Sequence, residues 1–320
     1  MRSVHKSEIL IYHAGALGDF ITVLPVPATL RESRPDDRLV LLGRKAHGEL
    51  ALEAGLLDEV WDLDRGDFAG LFADRPSDRL GARFKVFDLA LVFASPRSTI
   101  VNTLKSAGVD EIRAQSPFPR KRRHVVDYHL SLLKGLAPPP NNPVPSLDPR
   151  PRKHTSTVGT AGRPRKATVV LHPGSGGFRK NWALEQFIEL SQHLEKQGRD
   201  ILWIRGPAEW DLVFPPHAAV AHTPSVLDLA RLLSKVSLFV GNDSGVTHLA
   251  AACKCPTIAL FGPSDPAVWA PRGARVHIID AAPPCRPCHP TGNHTKECKE
   301  RCMARISVAE VLKVCLNHLS

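Results

Sequence analysis

Short apolar runs and helical patterns alternate along this chain, give way to a proline-rich stretch, and then alternate again. In the first part, 8–13, 38–43, 59–63 and 85–93 are β-favouring apolar runs separated by helical segments such as 19–34 and 45–54. Strands that take turns with helices predict a parallel sheet covered on both faces. From 138 to 166 the pattern stops. Pro138-Pro139-Pro140-Asn141-Asn142-Pro143, Pro145, Pro149, Pro151 and Pro164 stand among few large apolar residues, a composition that cannot bury a core and reads as a linker. Strands are expected again at 167–171, 200–205, 237–240, 257–261 and 275–279, with helices near 183–196, 226–235, 245–253 and 307–319. The expectation is an α/β protein of two doubly wound domains, 1–137 and 167–320, facing each other across a cleft. At 320 residues and 43% hydrophobic content the chain can fill two ordinary cores.

No run of 18 apolar residues is present, and Met1-Arg2-Ser3-Val4-His5-Lys6-Ser7-Glu8 lacks the apolar stretch of a signal peptide. The expected location is the cytoplasm, with peripheral contact to the cytoplasmic face of the inner membrane left open. A net charge of +10 fits an anionic partner or simply a solvated basic surface. The densest cluster, Arg120-Lys121-Arg122-Arg123-His124, has no interleaved aromatics, and aromatics make up only 6% of the chain. Stacking on nucleic acid is therefore not expected. A substrate rich in phosphate or carboxylate, or an anionic membrane face, fits that cluster at least as well.

Three strand-turn-helix junctions carry the candidate chemistry. His172-Pro173-Gly174-Ser175-Gly176-Gly177-Phe178-Arg179-Lys180-Asn181-Trp182 and Asn242-Asp243-Ser244-Gly245-Val246-Thr247-His248 put backbone N–H groups, a lysine and small hydroxyl residues where helix N-termini can hold a diphosphate. The third, His13-Ala14-Gly15-Ala16-Leu17-Gly18-Asp19, brings a carboxylate to a helix start, where it could take a proton from a substrate hydroxyl or satisfy backbone donors. A dinucleotide fingerprint needs G-x-G-x-x-G and an acid near the end of the second strand. This chain has G-x-x-G and ends that strand Leu41-Leu42-Gly43-Arg44-Lys45, so a dehydrogenase is disfavoured.

Taken with Ala259-Leu260-Phe261-Gly262-Pro263-Ser264-Asp265-Pro266, these runs resemble glycosyltransferase family 9, the lipopolysaccharide heptosyltransferases. The resemblance extends from Leu10 to about Pro271 and implies a GT-B architecture of two Rossmann-like domains. It further implies an ADP-heptose donor held mainly by the C-terminal domain and an acceptor held mainly by the N-terminal one. The resemblance also implies transfer with inversion at the anomeric carbon and with no catalytic metal or other cofactor. By this resemblance Asp19 is the general base and Lys180 stands beside the donor phosphates. Asp243 lies near the donor sugar, Ser244, Gly245 and Val246 offer N–H groups, and His248 is close by. Gly174 and Ser175 belong to the same donor loop. Glu209, after a strand, is where a carboxylate could bind a ribose diol. Gly15, Gly18, Arg120, Arg122 and Arg123 are the acceptor-side candidates, for an anionic glycolipid or glycan. A nucleotide-sugar-binding protein without transferase activity is the alternative, against which Asp19 and Lys180 both count.

Four of the seven cysteines, Cys285, Cys288, Cys298 and Cys302, follow the spacing C-x2-C-x9-C-x3-C. Structural zinc, disulfides and free thiols all stay open, with His289 and His294 as substitute ligands. Cys253, Cys255 and Cys315 have apolar neighbours and read as ordinary buried residues.

Overall fold

A computed structural model describes residues 6–72, 78–149, 168–206, 209, 211–286, 288 and 302–320. The chain divides into two compact units, Met1–Val144 and Pro145–Ser320. Residues 145–149, part of the expected linker, belong to the second unit: Leu147 is buried and its N–H donates to the Ala252 carbonyl at 2.8 Å.

The first unit is built on β1 (Glu8–His13), β2 (Arg38–Gly43), β3 (Glu59–Asp62), β4 (Leu89–Val92) and β5 (Glu111–Ala114). They form a parallel sheet of order β3-β2-β1-β4-β5. Its helices are α1 (Leu17–Val23), α2 (Pro25–Ser33), α3 (Lys45–Glu53), α4 (Asp78–Phe84), α5 (Thr99–Ser106) and α6 (Val125–Leu130). The central strands are buried along nearly their whole length, which is why they read as continuous apolar runs rather than alternating ones.

The single helix expected over 19–34 is two helices. Pro25 has no N–H to continue the ladder, so α1 closes at Leu24, whose N–H turns back to the Ile21 carbonyl at 3.2 Å, and α2 starts with Pro25 in its first turn. The expected strand 85–93 is shorter than its apolar content implies, because Asp78–Phe84 is helical and β4 starts only at Leu89.

The second unit holds β6 (Thr168–His172), β7 (Asp200–Ile204), β8 (Ala219–Ala221), β9 (Leu238–Asn242), β10 (Thr257–Phe261) and β11 (Val276–Asp280), in the parallel order β11-β10-β9-β6-β7-β8. Around it lie α7 (Leu184–Lys196), α8 (Val226–Leu233), α9 (Gly245–Ala252), α10 (Pro266–Trp269) and α11 (Val308–Leu319). The core on one side of this sheet joins Val169, Leu171, Trp182, Phe187, Leu190 and Trp203 to Met303, Ile306 and Val311. Strand order reverses between β1 and β4 in the first unit and between β6 and β9 in the second. Loops at the carboxyl ends of such strands splay apart and make the usual ligand crevice of a doubly wound sheet. All three candidate junctions follow β1, β6 or β9.

Among the described residues, no helix is long and apolar enough to cross a membrane.

Candidate functional site

In the second unit the loops after β6 and β9 are tied to each other by side chains. Asn242, fully buried, donates from Nδ2 to the Pro173 carbonyl at 2.6 Å and accepts the Trp182 N–H on Oδ1 at 3.0 Å. One residue further, Lys180 Nζ lies 2.7 Å from Asp243 Oδ2, and the Ser264 hydroxyl donates to the same oxygen at 2.5 Å. Asp243 is buried, whereas the Lys180 side chain is 22% exposed. Ser264 had no role in the sequence reading, although it stands in the quoted Gly262-Pro263-Ser264-Asp265 run.

Ser244 caps α9, accepting the Thr247 N–H on Oγ at 3.3 Å. Gly245 and Val246, half-buried, fill the first turn, where helix geometry leaves N–H groups without intrahelical acceptors. His248, one turn in, is buried. These donors and Lys180 border one loop cluster, an arrangement suited to phosphate oxygens.

On the other side of the β6 loop, Glu209 is completely buried over Gly174. A Cβ on residue 174 would fall 1.4 Å from Glu209 Oε1, so only glycine fits. Oε2 accepts the Gly206 N–H at 2.6 Å. Oε1 approaches His172 Nε2 at 3.2 Å, near enough for an ion pair but without the alignment of a hydrogen bond. Burial opposes ionisation here, yet His172 and the Gly206 N–H outweigh it and hold Glu209 below the usual carboxylate range. Ser175 closes the turn, donating to Asn181 Oδ1 at 2.6 Å and accepting the Gly177 N–H at 3.2 Å. Gly174, Ser175, Lys180, Glu209, Asp243, Ser244, Gly245, Val246 and His248 thus all belong to loops or helix starts at the carboxyl ends of β6, β7 and β9. Trp182 is core: it is buried, packs edge-on to Phe187 at 5.0 Å, and its indole N–H donates to the Ile306 carbonyl at 2.9 Å.

In the first unit, Asp19 sits in the opening turn of α1, and its Oδ2 accepts the Ala16 N–H at 3.3 Å. That bond is long, and the carboxylate is only half-buried. Gly15 leaves room for it: a Cβ there would lie 3.1 Å from Asp19 Oδ2 and 3.0 Å from His13 Cε1. Gly18 is in the same turn. Beneath it His13 is buried between Phe20 and Phe93, with ring centroids at 5.6 and 6.1 Å. Burial, reinforced by His129 and His47, pushes the His13 imidazole down to about 3. Burial likewise lowers His129 to about 3 and His47 to about 4. Three histidines kept neutral around the candidate base were not anticipated from sequence.

Arg120, Arg122 and Arg123 are exposed in the loop that leads from β5 to α6, and α6 packs against α1. Arg123 also borders a cavity of about 490 Å³ whose other walls include Leu133, Lys134 and Pro138 to Pro140. The cavity joins cationic and apolar surface within the first unit.

Of the cysteine motif, Cys298 lies outside the described residues, as do His289 and His294. Cys285 is exposed and Cys302 buried. The Cys288 N–H donates to the Pro263 carbonyl at 3.1 Å, and Cys302 Sγ packs on Gly262, so two of the thiol-bearing residues meet one loop. Among the described residues no group of three metal-ligating side chains is assembled. Burial pushes the thiols of Cys253, Cys255 and Cys315 up to about 12, which makes them inert packing residues.

Residues 112–299 match the family described as glycosyltransferase family 9 (heptosyltransferase). The chain belongs to glycosyltransferase family 9. Its curated relatives include lipopolysaccharide heptosyltransferase 3 of Escherichia coli, 31% identical over 113 residues, a match covering 32% of this chain and 33% of that protein. The chain therefore matches about a third of the length of that relative. A putative glycosyltransferase of Haemophilus influenzae is 23% identical over 303 residues, covering 82% of this chain and 86% of that protein. The crystal structure of a family 9 glycosyl transferase from Veillonella parvula superposes with a TM-score of 0.76 at 18% identity, covering 98% of this chain and 97% of that one. The Escherichia coli ADP-heptose lipopolysaccharide heptosyltransferase II gives a TM-score of 0.72 at 17% identity, with 98% of both chains covered. The family 9 fold is accordingly GT-B, as the resemblance implied.

Proposed function

We propose that this protein is an inverting, metal-independent glycosyltransferase that moves a heptose or related sugar from an ADP-sugar to a lipopolysaccharide-core or related glycan acceptor. The observation that carries the reading is the Lys180–Asp243–Ser264 cluster beside the first turn of α9. The Escherichia coli structure named for ADP-heptose supports the choice of donor. As the acceptor oxygen bonds to the anomeric carbon, the bond from that carbon to the diphosphate breaks and its electron pair leaves with ADP. Lys180 and the N–H groups of Gly245 and Val246 stabilise that charge, and Asp19 takes the acceptor proton. The family resemblance makes Glu209 the ribose-side carboxylate, although its side chain is buried over Gly174 beside His172. Arg120, Arg122 and Arg123 receive the anionic acceptor, in keeping with work at the cytoplasmic face of the inner membrane.

Lys180→Ala tests the donor half. It removes a charge-assisted contact to phosphate, so ADP binding should weaken by about 1 to 3 kcal/mol with folding retained. Calorimetric titration that gives wild-type affinity for ADP would remove Lys180 from the site.

In the same reading Cys285, Cys288, Cys298 and Cys302 hold one structural zinc ion, a role that four thiolates suit. Protein prepared with zinc under reducing conditions should carry about one equivalent by metal analysis. A chelator should lower its melting temperature while leaving the transfer rate of still-folded protein unchanged. Zinc-free protein of equal stability would rule the site out.

A further inference from the structure

Cys302–Arg305 forms a turn of helix and, with Ile306 after it, backs both loops of the Lys180–Asp243 pair. On one side the Ile306 carbonyl accepts two donors, the Trp182 indole N–H at 2.9 Å and the Gln186 amide at 3.2 Å. Trp182 lies two residues after Lys180, and its own backbone N–H is fixed by Asn242, the neighbour of Asp243. On the other side Cys302 and Met303 close over Gly262, where a Cβ would meet Met303 Sδ at 2.4 Å and Cys302 Sγ at 3.0 Å. Two residues past Gly262, the buried Ser264 hydroxyl grips Asp243 Oδ2. The turn thus touches the lysine loop through Trp182 and the carboxylate's partner loop through Gly262.

We propose that Cys302–Ile306 is a positioning brace that sets where Lys180 stands relative to Asp243, and that Trp182 and Ser264 are the positioning residues through which it acts. This rests on reading Lys180 as a donor-phosphate ligand. The brace differs from ordinary core packing in its chemistry. The apolar cluster around Trp182 would be satisfied by any ring of similar size, whereas the Ile306 carbonyl needs donors, and it takes them from the start of the segment that follows Lys180. A net hydrogen bond in a buried setting corresponds to a several-fold change in an equilibrium.

The test compares ADP affinity and melting temperature in Trp182→Phe, Lys180→Ala and the double variant. Phenylalanine keeps the contact with Phe187 and removes the indole donor. Trp182→Phe should weaken ADP about 3- to 10-fold, and that effect should vanish in the Lys180→Ala background, because the brace works through the lysine. A lower melting temperature with ADP affinity within about twofold of wild type, or the same loss with and without Lys180, overturns the brace. If Lys180→Ala itself leaves ADP binding intact, the donor-site reading fails, and the brace with it. Should Trp182→Phe not fold, Gly262→Ala approaches from the other loop. It should weaken ADP binding by crowding Met303, and Gly262→Ala with Met303→Ala should restore it. No change in either overturns the proposal.

Discussion

An Asp19→Asn variant should turn over about 10²- to 10⁴-fold more slowly than the parent, close to 3 to 5 kcal/mol of barrier, while ADP binding changes little. Asparagine keeps the shape of the side chain and still offers an oxygen to the Ala16 N–H, but it cannot take a proton at neutral pH. The two effects separate because donor contacts are assigned to the second unit and Asp19 to the first. If Asp19 merely capped α1, the variant would lose up to about 1 kcal/mol of stability and work at nearly normal speed per folded molecule. The capping outcome rests on the Ala16 N–H, which donates to Asp19 Oδ2 at 3.3 Å. Turnover, ADP affinity and melting temperature measured on one preparation distinguish the two, and near wild-type turnover would end the catalytic assignment.

Acid should unfold this protein early. His13 and His129 are held near 3 in the native state, against 6.5 for a free imidazole. Between those values the unfolded chain binds protons that the native chain refuses. Stability from these two residues is therefore complete above about pH 6.5 and drains away as the pH falls toward 3. At pH 5 each has lost about 2 kcal/mol, so together they remove about 4 kcal/mol, a large share of what an ordinary domain possesses. With His47, held near 4, added to these two, denaturant titrations at several pH values should give an uptake of about three protons on unfolding near pH 5. Uptake of less than half a proton would mean that the imidazoles are solvated or ionised in the folded state. The groups that act on His13, namely His129 and His47, belong with it to the first unit.

The strands were legible because buried parallel strands are written as unbroken apolar runs: Ile9 to Tyr12 and Val169 to Leu171 could hardly be anything else. Shorter edge strands were not. Glu111-Ile112-Arg113-Ala114 and Ala219-Val220-Ala221 are too short or too polar to stand out from loops, and only pairing with β4 or β7 makes them strands. The break at Leu24 was hidden because apolar residues continue through it, although Pro25 and Pro27 marked the place. Lys180 and Asp243 could be singled out from their turns, but not their contact, since 63 residues separate them and only the adjacency of β6 and β9 brings them together. The same holds for His13 and His129. The Ile306 carbonyl had no sequence signal at all, because a backbone acceptor looks alike in every residue.

The pairing of Lys180 with Asp243 has a consequence for how tightly a donor can be held. A lysine with no counter-charge would give its whole attraction to an incoming diphosphate, whereas this one must first give up a carboxylate 2.7 Å away. Donor affinity is then the difference between two ion pairs rather than the gain of one. Asp243 loses less in the exchange than an isolated buried carboxylate would, because the Ser264 hydroxyl stays on the same oxygen. If Lys180 holds the donor phosphates as proposed, this resting ion pair competes with them and favours release of the nucleotide over grip.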